Sequence, residues 1–167
     1  AKSGNFGMLI GIESTNEAVL EKMNKRVNLK LGTDSYFDCI QKIHNAGLVV
    51  WGSVVFGADG DDKDSFKRMT KFILENNIDI LTFGINCPFP KTQLYARLDS
   101  EKRIFRKNYP EDWQYYDTAH IVHRLVDMTL EDFISGMQYV YDHIYAGDNL
   151  RMRFRNSIKT TKNPRNS

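Results

Sequence analysis

The feature that most constrains the fold is an apolar run over residues 48–57, LVVWGSVVFG, which leads directly into the acidic stretch 58–62. Long β-branched runs without polar alternation are typical of strands buried on both faces, as in a parallel sheet covered by helices. Ligands of such folds gather outside the carboxyl ends of the strands. The run therefore predicts a central strand, with a candidate site where Gly57 and Gly60 let the backbone approach a ligand closely.

Two further apolar stretches predict strands, and helical patterns separate all three. The first helix follows Glu13, and Ser14 with Glu17 forms a candidate capping box. Strand, helix, strand, helix, strand predicts parallel strands joined by right-handed crossovers, an α/β fold. The expected strands are residues 8–12, 48–57 and 78–85, the expected helices begin near 14, 36 and 62–64, and residues 28–33 are expected to be a polar connection.

Beyond the third strand the pattern predicts an α-helical extension. A short helix is expected over residues 94–98, followed by irregular chain and by a strong amphipathic helix that Thr129 and Asp132 cap and that ends near Gly147. This helix is expected to pack on the strand layer. The predicted organisation is a strand and helix unit over 1–100, a helical extension over 101–155, and a polar, disordered tail over 156–167.

Charge and strand edges suggest contacts beyond the chain itself. Three parallel strands alone leave unpaired edges, which cost stability and invite association. The net charge of +2 conceals a basic C-terminal segment, since residues 148–167 hold six basic side chains against Asp148. A non-catalytic binding or assembly module that uses the open edges and the basic tail is therefore one interpretation. RNA binding is not favoured, because no aromatic residues cluster on a predicted sheet face.

Cysteine usage and acidic spacing argue against a metal site built by this chain alone. Cys39 and Cys87 are the two cysteines, without zinc-binding spacing and without a signal peptide or long apolar span, so a reducing, cytoplasmic setting is expected. The acidic loop 59–62 does not match a calcium loop, because its glycine is misplaced and Thr70 occupies the twelfth position.

Glu13 is the first candidate site residue, because it stands where an apolar strand ends. A carboxylate there can accept two hydrogen bonds from a sugar diol. The alternative is a salt bridge with Lys25 or Arg26, or an acid favoured beside a helix N-terminus. A further interpretation pairs Glu13 with Asp59 as acid and base of an ordinary barrel enzyme.

Other reactive side chains are expected to have structural roles. His120 and His123 are three residues apart, but two imidazoles without a third ligand do not hold a catalytic metal, so packed or surface histidines are favoured. Cys87 is a possible nucleophile, although a small buried residue before Pro88 is the favoured interpretation.

Several motifs occur together in a recognisable order. The motifs are Gly11-Ile12-Glu13-Ser14, Lys22-Met23-Asn24-Lys25, the glycine-bounded strand 52–57 and the Pro88-Phe89-Pro90-Lys91-Thr92 segment that leads into 93–95. Over residues 5–100 they resemble the second half of a radical S-adenosylmethionine (SAM) enzyme, within the subgroup that carries an N-terminal cobalamin-binding domain. Residues 103–143 resemble the C-terminal extension of that subgroup.

The resemblance implies a partial (β/α)6 barrel, of which this chain supplies the fourth, fifth and sixth strands. It implies that Glu13 contacts the ribose of SAM. Lys91 departs from the glycine of the family's Pro-x-Pro-Gly-Thr pattern, which bears on the local turn. The remaining cofactor-binding residues that the resemblance implies surround the adenine by packing or backbone contact: Ser53, Val55, Phe56, Gly57, Asn86 and Cys87.

The resemblance also implies groups that this chain lacks. The family binds a [4Fe–4S] cluster through a CxxxCxxC loop, and a three-thiolate site cannot be built from Cys39 and Cys87. SAM, the cluster and, for this subgroup, cobalamin are therefore expected in a longer protein, where cleavage of SAM gives a 5′-deoxyadenosyl radical for oxidoreductase or methyltransferase chemistry. This chain is expected to be an inactive fragment whose partners are its missing N-terminal half and a small-molecule substrate.

Overall fold

A computed structural model describes residues 4–33 and 35–161. Three strands form one parallel sheet in the order β1 (Gly7–Glu13), β2 (Val49–Phe56) and β3 (Ile80–Ile85), so the prediction of three parallel strands is confirmed. The pairing of β1 with β2 shifts register between Gly11 and Glu13, where β1 ends in a bulge.

Seven helices and one 3₁₀ turn accompany the sheet in the described ranges. None of these helices is both long enough and apolar enough to cross a bilayer. Helix α3 leads into β2 and α4 connects β2 to β3, as the crossover pattern predicts. The helices are α1 (Glu17–Lys22), α2 (Arg26–Leu31), α3 (Ser35–Asn45), α4 (Ser65–Glu75), α5 (Gln93–Ser100), α6 (Leu130–Ile144) and α7 (Gly147–Thr161), and the 3₁₀ turn is Glu111–Tyr115.

The packing of β2 differs from the sequence prediction on one face. Val50, Val54 and Phe56 point into the core, but Trp51 on the opposite face is 42% exposed. The prediction of burial on both faces is therefore wrong for the described chain, because the helices cover only one face. The core side chains that meet this face come from α4 and α6: Phe66, Met69, Ile73, Phe133, Val140 and Ile144.

The amphipathic helix α6 begins as the sequence predicts. Thr129 Oγ1 accepts a hydrogen bond from the Asp132 backbone N–H, and the Asp132 carboxylate accepts one from the Thr129 backbone N–H, which completes the predicted capping box. Helix α6 packs against α4 and also meets the sheet directly, since the Tyr141 ring contacts Phe83 of β3 edge to face, so the expected packing on the strand layer is present.

Two predictions about the N-terminal connections are wrong. The predicted capping box of Ser14 and Glu17 does not form, because Ser14 lies in the turn that follows the bulge and Asn16 caps α1 by accepting a hydrogen bond from the Ala18 backbone N–H at 3.0 Å. Most of the predicted polar connection 28–33 is helical and belongs to α2.

The basic C-terminal segment is largely a docked helix. Helix α7 extends through Thr161, so residues 156–161 are helical where disorder was predicted, and residues 162–167 lie outside the described residues. Arg153 is buried and donates hydrogen bonds to the backbone oxygens of Ile78, Ile144 and Asp79 at 2.9, 3.2 and 2.9 Å. These bonds tie α7 to the start of β3 and to the end of α6.

Candidate functional site

The carboxyl ends of the three strands open onto a cavity of about 590 Å³, called here the strand-end cavity. Its wall includes Glu13 from β1, Val55 from β2, and Asn86 and Cys87 directly after β3. Adjacent parallel strands place their carboxyl ends at one edge of a sheet, which is why residues up to 74 positions apart in sequence meet here. Four of the seven residues predicted to bind cofactor are thereby brought together.

Glu13 enters this cavity from a strained backbone position. Its φ of 63° lies in the left-handed region, at the bulge that ends β1. Its Oε1 accepts a hydrogen bond from Lys25 Nζ at 2.7 Å, so the predicted salt bridge with Lys25 is present. A Cβ at Gly11 would lie 2.9 Å from the same oxygen, so the glycine leaves space for this carboxylate. Within residues 4–33 and 35–161, no group donates a hydrogen bond to the second oxygen, Oε2.

Asn86 and Cys87 form the opposite wall. The Asn86 backbone N–H donates to the Phe56 oxygen at 2.8 Å, which extends the pairing of β2 and β3 to the cavity rim. The Cys87 side chain is buried, and burial raises the pKa of its thiol. A thiol that is harder to ionise is a poor nucleophile, which supports the packing role expected for Cys87.

Three other predicted residues lie outside the lining of this cavity. Ser53 lies on the open face of β2, further from the strand end. Phe56 points into the core and stacks on Phe66 with ring centroids 4.8 Å apart, so its side chain packs rather than facing the cavity. Gly57, with φ 83°, faces Leu125 and Phe133, and its backbone N–H donates to Asp61.

Four consecutive residues beside Glu13 form a second part of the cavity wall. Lys22, Met23, Asn24 and Lys25 line the cavity beside Glu13. Helix α1 has only six residues, so the chain returns to the same edge of the sheet before it continues. The sequence predicts a role for Lys25, as a salt-bridge partner of Glu13, whereas Lys22, Met23 and Asn24 belong only to the Lys-Met-Asn-Lys motif of the family resemblance.

An ion-pair network closes the cavity on the side of the C-terminal extension. Arg103 binds Asp59 with two hydrogen bonds, of 2.6 and 3.0 Å, and Arg97 of α5 binds the same carboxylate. The guanidinium of Arg103, followed by that of Arg97, holds the pKa of Asp59 well below its usual range. Asp59 stays ionised near neutral pH and therefore cannot donate a proton. It is also a weak base, because guanidinium groups occupy both of its carboxylate oxygens, so its pairing with Glu13 as acid and base has no support.

The acidic loop after β2 is organised by protein contacts. Asp61 Oδ2 accepts hydrogen bonds from the backbone N–H groups of Gly57 and Ala58 at 3.0 and 3.2 Å, and burial raises the pKa of Asp61 to about 6. Asp62 pairs with Arg68 at 2.9 Å. Across residues 4–33 and 35–161, no group of three or more histidine, cysteine, aspartate or glutamate side chains is arranged to hold a metal ion.

The two histidines occupy different environments. His120 is exposed and its Nδ1 lies 3.0 Å from the Asp117 carboxylate. His123 is 1% exposed, and neither of its ring nitrogens has a hydrogen-bond partner in the part of the chain that is described. Burial, together with the charge of Arg103, lowers the pKa of His123 to about 4, so the ring is neutral at physiological pH.

Lys91, which stands where the family pattern has glycine, adopts a backbone conformation typical of glycine. Lys91 has φ 65°, in the left-handed region that glycine adopts most easily. The turn is followed by Thr92, which caps α5 by accepting a hydrogen bond from the Tyr95 backbone N–H at 3.1 Å. A lysine thus occupies a glycine-type conformation beside the cavity residue Phe89.

No protein-family model matches the sequence. The chain is 28% identical over 152 residues to bacteriochlorophyllide d C-12(1)-methyltransferase of Chlorobaculum tepidum, which covers 91% of this chain and 31% of that protein. It is 31% identical over 119 residues to bacteriochlorophyllide d C-8(2)-methyltransferase of the same organism, covering 71% of this chain and 25% of the relative. It is 27% identical over 97 residues to hopanoid C-2 methylase of Rhodopseudomonas palustris, covering 58% and 18%. The chain thus spans less than a third of the length of these relatives.

Proposed function

We propose that this chain is the C-terminal part of a radical SAM methyltransferase and that the strand-end cavity holds the ribose and adenine of SAM. The observation that carries the proposal is the convergence of Glu13, Val55, Asn86 and Cys87, from the ends of three different strands, on one cavity. The similarity to two methyltransferases and a methylase supports the same reaction class.

The sheet supports a place within a larger barrel. Helices cover the face that carries Val50 and Val54, and the opposite face carries the exposed side chains of Leu9, Trp51 and Ile80. A barrel has this polarity, with helices outside and the second face of each strand turned inward. We therefore assign β1, β2 and β3 to the fourth, fifth and sixth strands of a partial (β/α)6 barrel.

The residues of the strand-end cavity fit a ribose better than a metal cluster. Glu13 Oε2 can accept a hydrogen bond from a ribose hydroxyl, while Lys25 holds Oε1 and fixes the orientation of the carboxylate. Asn86 and Cys87 offer a wall whose backbone is already fixed by pairing with β2. SAM supplies the transferable methyl group and, in this family, the 5′-deoxyadenosyl radical when it is bound with the cluster.

The [4Fe–4S] cluster does not fit the residues of this chain. Cys39 is exposed on α3, whereas Cys87 is buried at the end of β3. A cluster needs three thiolates from neighbouring positions, so its ligands belong to another part of the full-length protein. We accordingly propose that the chain alone is inactive, and we assign none of its residues to cobalamin.

The replacement Glu13→Gln tests the proposal in the full-length, reconstituted protein. It removes the carboxylate charge and weakens the Lys25 pair while preserving size. Since hydrogen bonds to charged groups contribute about 1.5–3 kcal/mol, the dissociation constant for SAM measured by calorimetry should rise by roughly tenfold or more. Glu17→Gln is the matched control, because Glu17 is exposed on α1 and does not line the cavity. Unchanged affinity in Glu13→Gln would remove Glu13 from the site.

A further inference from the structure

A second and larger cavity, of about 950 Å³, lies between β3, the segment 118–129 and α6. It is called here the edge cavity. Its wall is mainly apolar and includes two methionines, Met128 and Met137, beside Phe105 and Ile134. Methionine side chains adapt their shape to an irregular partner, and ligand cavities commonly have volumes of 300–1,000 Å³. The edge cavity is therefore large enough for a sizeable apolar molecule.

The edge cavity and the strand-end cavity share part of their walls. Ile85 and Thr118 line both of them. The Ile85 backbone N–H donates to the Thr118 oxygen at 2.7 Å, which fixes this pair at the carboxyl end of β3. A molecule in the edge cavity would consequently lie next to the proposed SAM site, as a methyl acceptor must.

The permanently charged side chains that line the edge cavity are two arginines. Arg106 and Arg124 line it, and none of the described residues in its wall is acidic. Arg124 is exposed and has no ion-pair partner within the described ranges, while the carboxylate nearest to Arg106 is that of Asp112, at 3.7 Å. The Arg106 guanidinium lies over the Tyr115 ring, 4.2 Å from its centroid. These two guanidinium groups can bind an anion, and guanidinium geometry suits a carboxylate.

Two histidines also belong to the wall. His123 is buried and neutral, and Nδ1 of His120 lies 3.0 Å from the Asp117 carboxylate. The edge cavity therefore combines an apolar body with a cationic rim at Arg106 and Arg124.

We propose that the edge cavity binds the methyl acceptor, a large and mostly apolar molecule that carries a carboxylate, and that Arg124 and Arg106 bind this carboxylate. This inference rests on the proposed function, because the shared wall matters only if SAM occupies the strand-end cavity. Two of the similar proteins are named for action on a bacteriochlorophyllide, which is consistent with an extended ring system.

The test compares two probes on the full-length protein by fluorescence anisotropy: pheophorbide a, a flat macrocyclic carboxylic acid, and its methyl ester. Arg124→Gln should weaken binding of the acid by about tenfold, the effect expected for one charge-assisted hydrogen bond, and should leave binding of the ester unchanged. Met137→Trp should weaken binding of both, because the larger ring fills the cavity. Arg151→Gln on α7 is the matched control, since Arg151 is exposed and lies outside the cavity.

Thermal unfolding and SAM affinity, measured on each variant, separate the possible failures. Arg124→Gln and Met137→Trp should bind SAM as the unmodified protein does. Absence of pheophorbide a binding, or equal effects of Arg124→Gln on acid and ester, would overturn the substrate inference. Unchanged SAM binding in Glu13→Gln would instead count against the proposed function, because it would remove Glu13 from the SAM site.

Discussion

At the residue scale, neighbouring acids after β2 differ because of what surrounds them. Asp59 is held ionised between Arg97 and Arg103, whereas Asp61 is buried against two backbone N–H groups and has a raised pKa. Desolvation disfavours the charged form of a carboxyl group, and guanidinium groups favour it. Residues two positions apart thus have opposite shifts in pKa, which their sequence positions do not reveal.

The Asp61→Asn replacement should change the pH dependence of stability. Because the folded pKa of about 6 is above the ordinary value of 3.8, the native state retains a proton that the unfolded state has released between these values. The free energy of unfolding contributed by Asp61 therefore falls as the pH rises from about 4 to 6 and stays low above that range. Asparagine keeps an oxygen for the Gly57 and Ala58 N–H groups, both of which bind the same carboxylate oxygen, but it does not titrate.

Denaturant unfolding of the full-length protein at pH 4.5 and pH 7 measures this difference. At pH 7 the free energy of unfolding of the Asp61→Asn protein should equal or exceed that of the unmodified protein. At pH 4.5 the difference in free energy of unfolding between the two proteins should shift in favour of the unmodified protein. The exposed neighbour Asp64 gives the control Asp64→Asn, which should have the pH profile of the unmodified protein. An identical profile for Asp61→Asn would contradict the buried, proton-binding role of Asp61.

Sequence reasoning found part of the site at this scale. Glu13 could be predicted because it follows an apolar strand, whereas Asn86 was implied only by the family resemblance. The salt bridge between Glu13 and Lys25 was one of several structural roles that the sequence allowed for Glu13. The two-arginine environment of Asp59 was not predictable, because Arg97 and Arg103 reach it from an extension whose path over the sheet depends on tertiary packing.

At the element scale, close contact between α4 and α6 organises the helical layer. Gly136 of α6 lies against the Phe66 ring, and a Cβ at this position would lie only 2.2 Å from a ring carbon. Phe66 cannot easily move away, because it stacks on Phe56 and meets Phe133 edge to face, with centroids 5.5 Å apart. The glycine allows the two helices to approach despite its low helix propensity.

Gly136→Ala should therefore destabilise the protein. Alanine favours a helix by about 1 kcal/mol over glycine, but overpacking of a filled core costs about 1–3 kcal/mol, so the clash should dominate. Thermal unfolding of the full-length protein should show a lower midpoint for Gly136→Ala than for the unmodified protein. The control Ser135→Ala, at the exposed adjacent position, should not lower the midpoint. A midpoint for Gly136→Ala at or above that of the unmodified protein would contradict the close packing of α4 and α6.

Strongly patterned elements were predictable from the sequence, and elements held by polar tertiary contacts were not. The β-branched runs predicted the three strands, and Phe66, Met69 and Ile73 predicted α4 by their helical spacing. Helix α2 has no buried residue and is held partly by Asn28, whose amide donates to the Gly11 oxygen at 2.8 Å. The end of α7 is similarly held by polar contacts, because Asn156 and Ser157 donate hydrogen bonds to the side chains of Asn77 and Asp79.

At the scale of the whole molecule, the sheet has one covered face and one open face. The exposed apolar side chains of Leu9, Trp51 and Ile80 lie on the open face. Both the barrel proposal and the alternative of a non-catalytic assembly module require a partner for the open edges. Only the barrel proposal also gives a role to the strand-end cavity. In the described part of the basic segment, α7 is docked through Arg153, while Arg151 and Arg155 remain exposed on its surface.

Hydrogen–deuterium exchange of the full-length, reconstituted protein, with and without SAM, tests the central claim most directly. The strand-end cavity predicts slower exchange with SAM in peptides that cover residues 13–25 and 85–97, which form two of its walls. Peptides from α7 should exchange at the same rate in both conditions, because no residue of α7 lines the cavity. Saturating SAM that leaves residues 13–25 and 85–97 unprotected would contradict the assignment of this cavity to the cofactor.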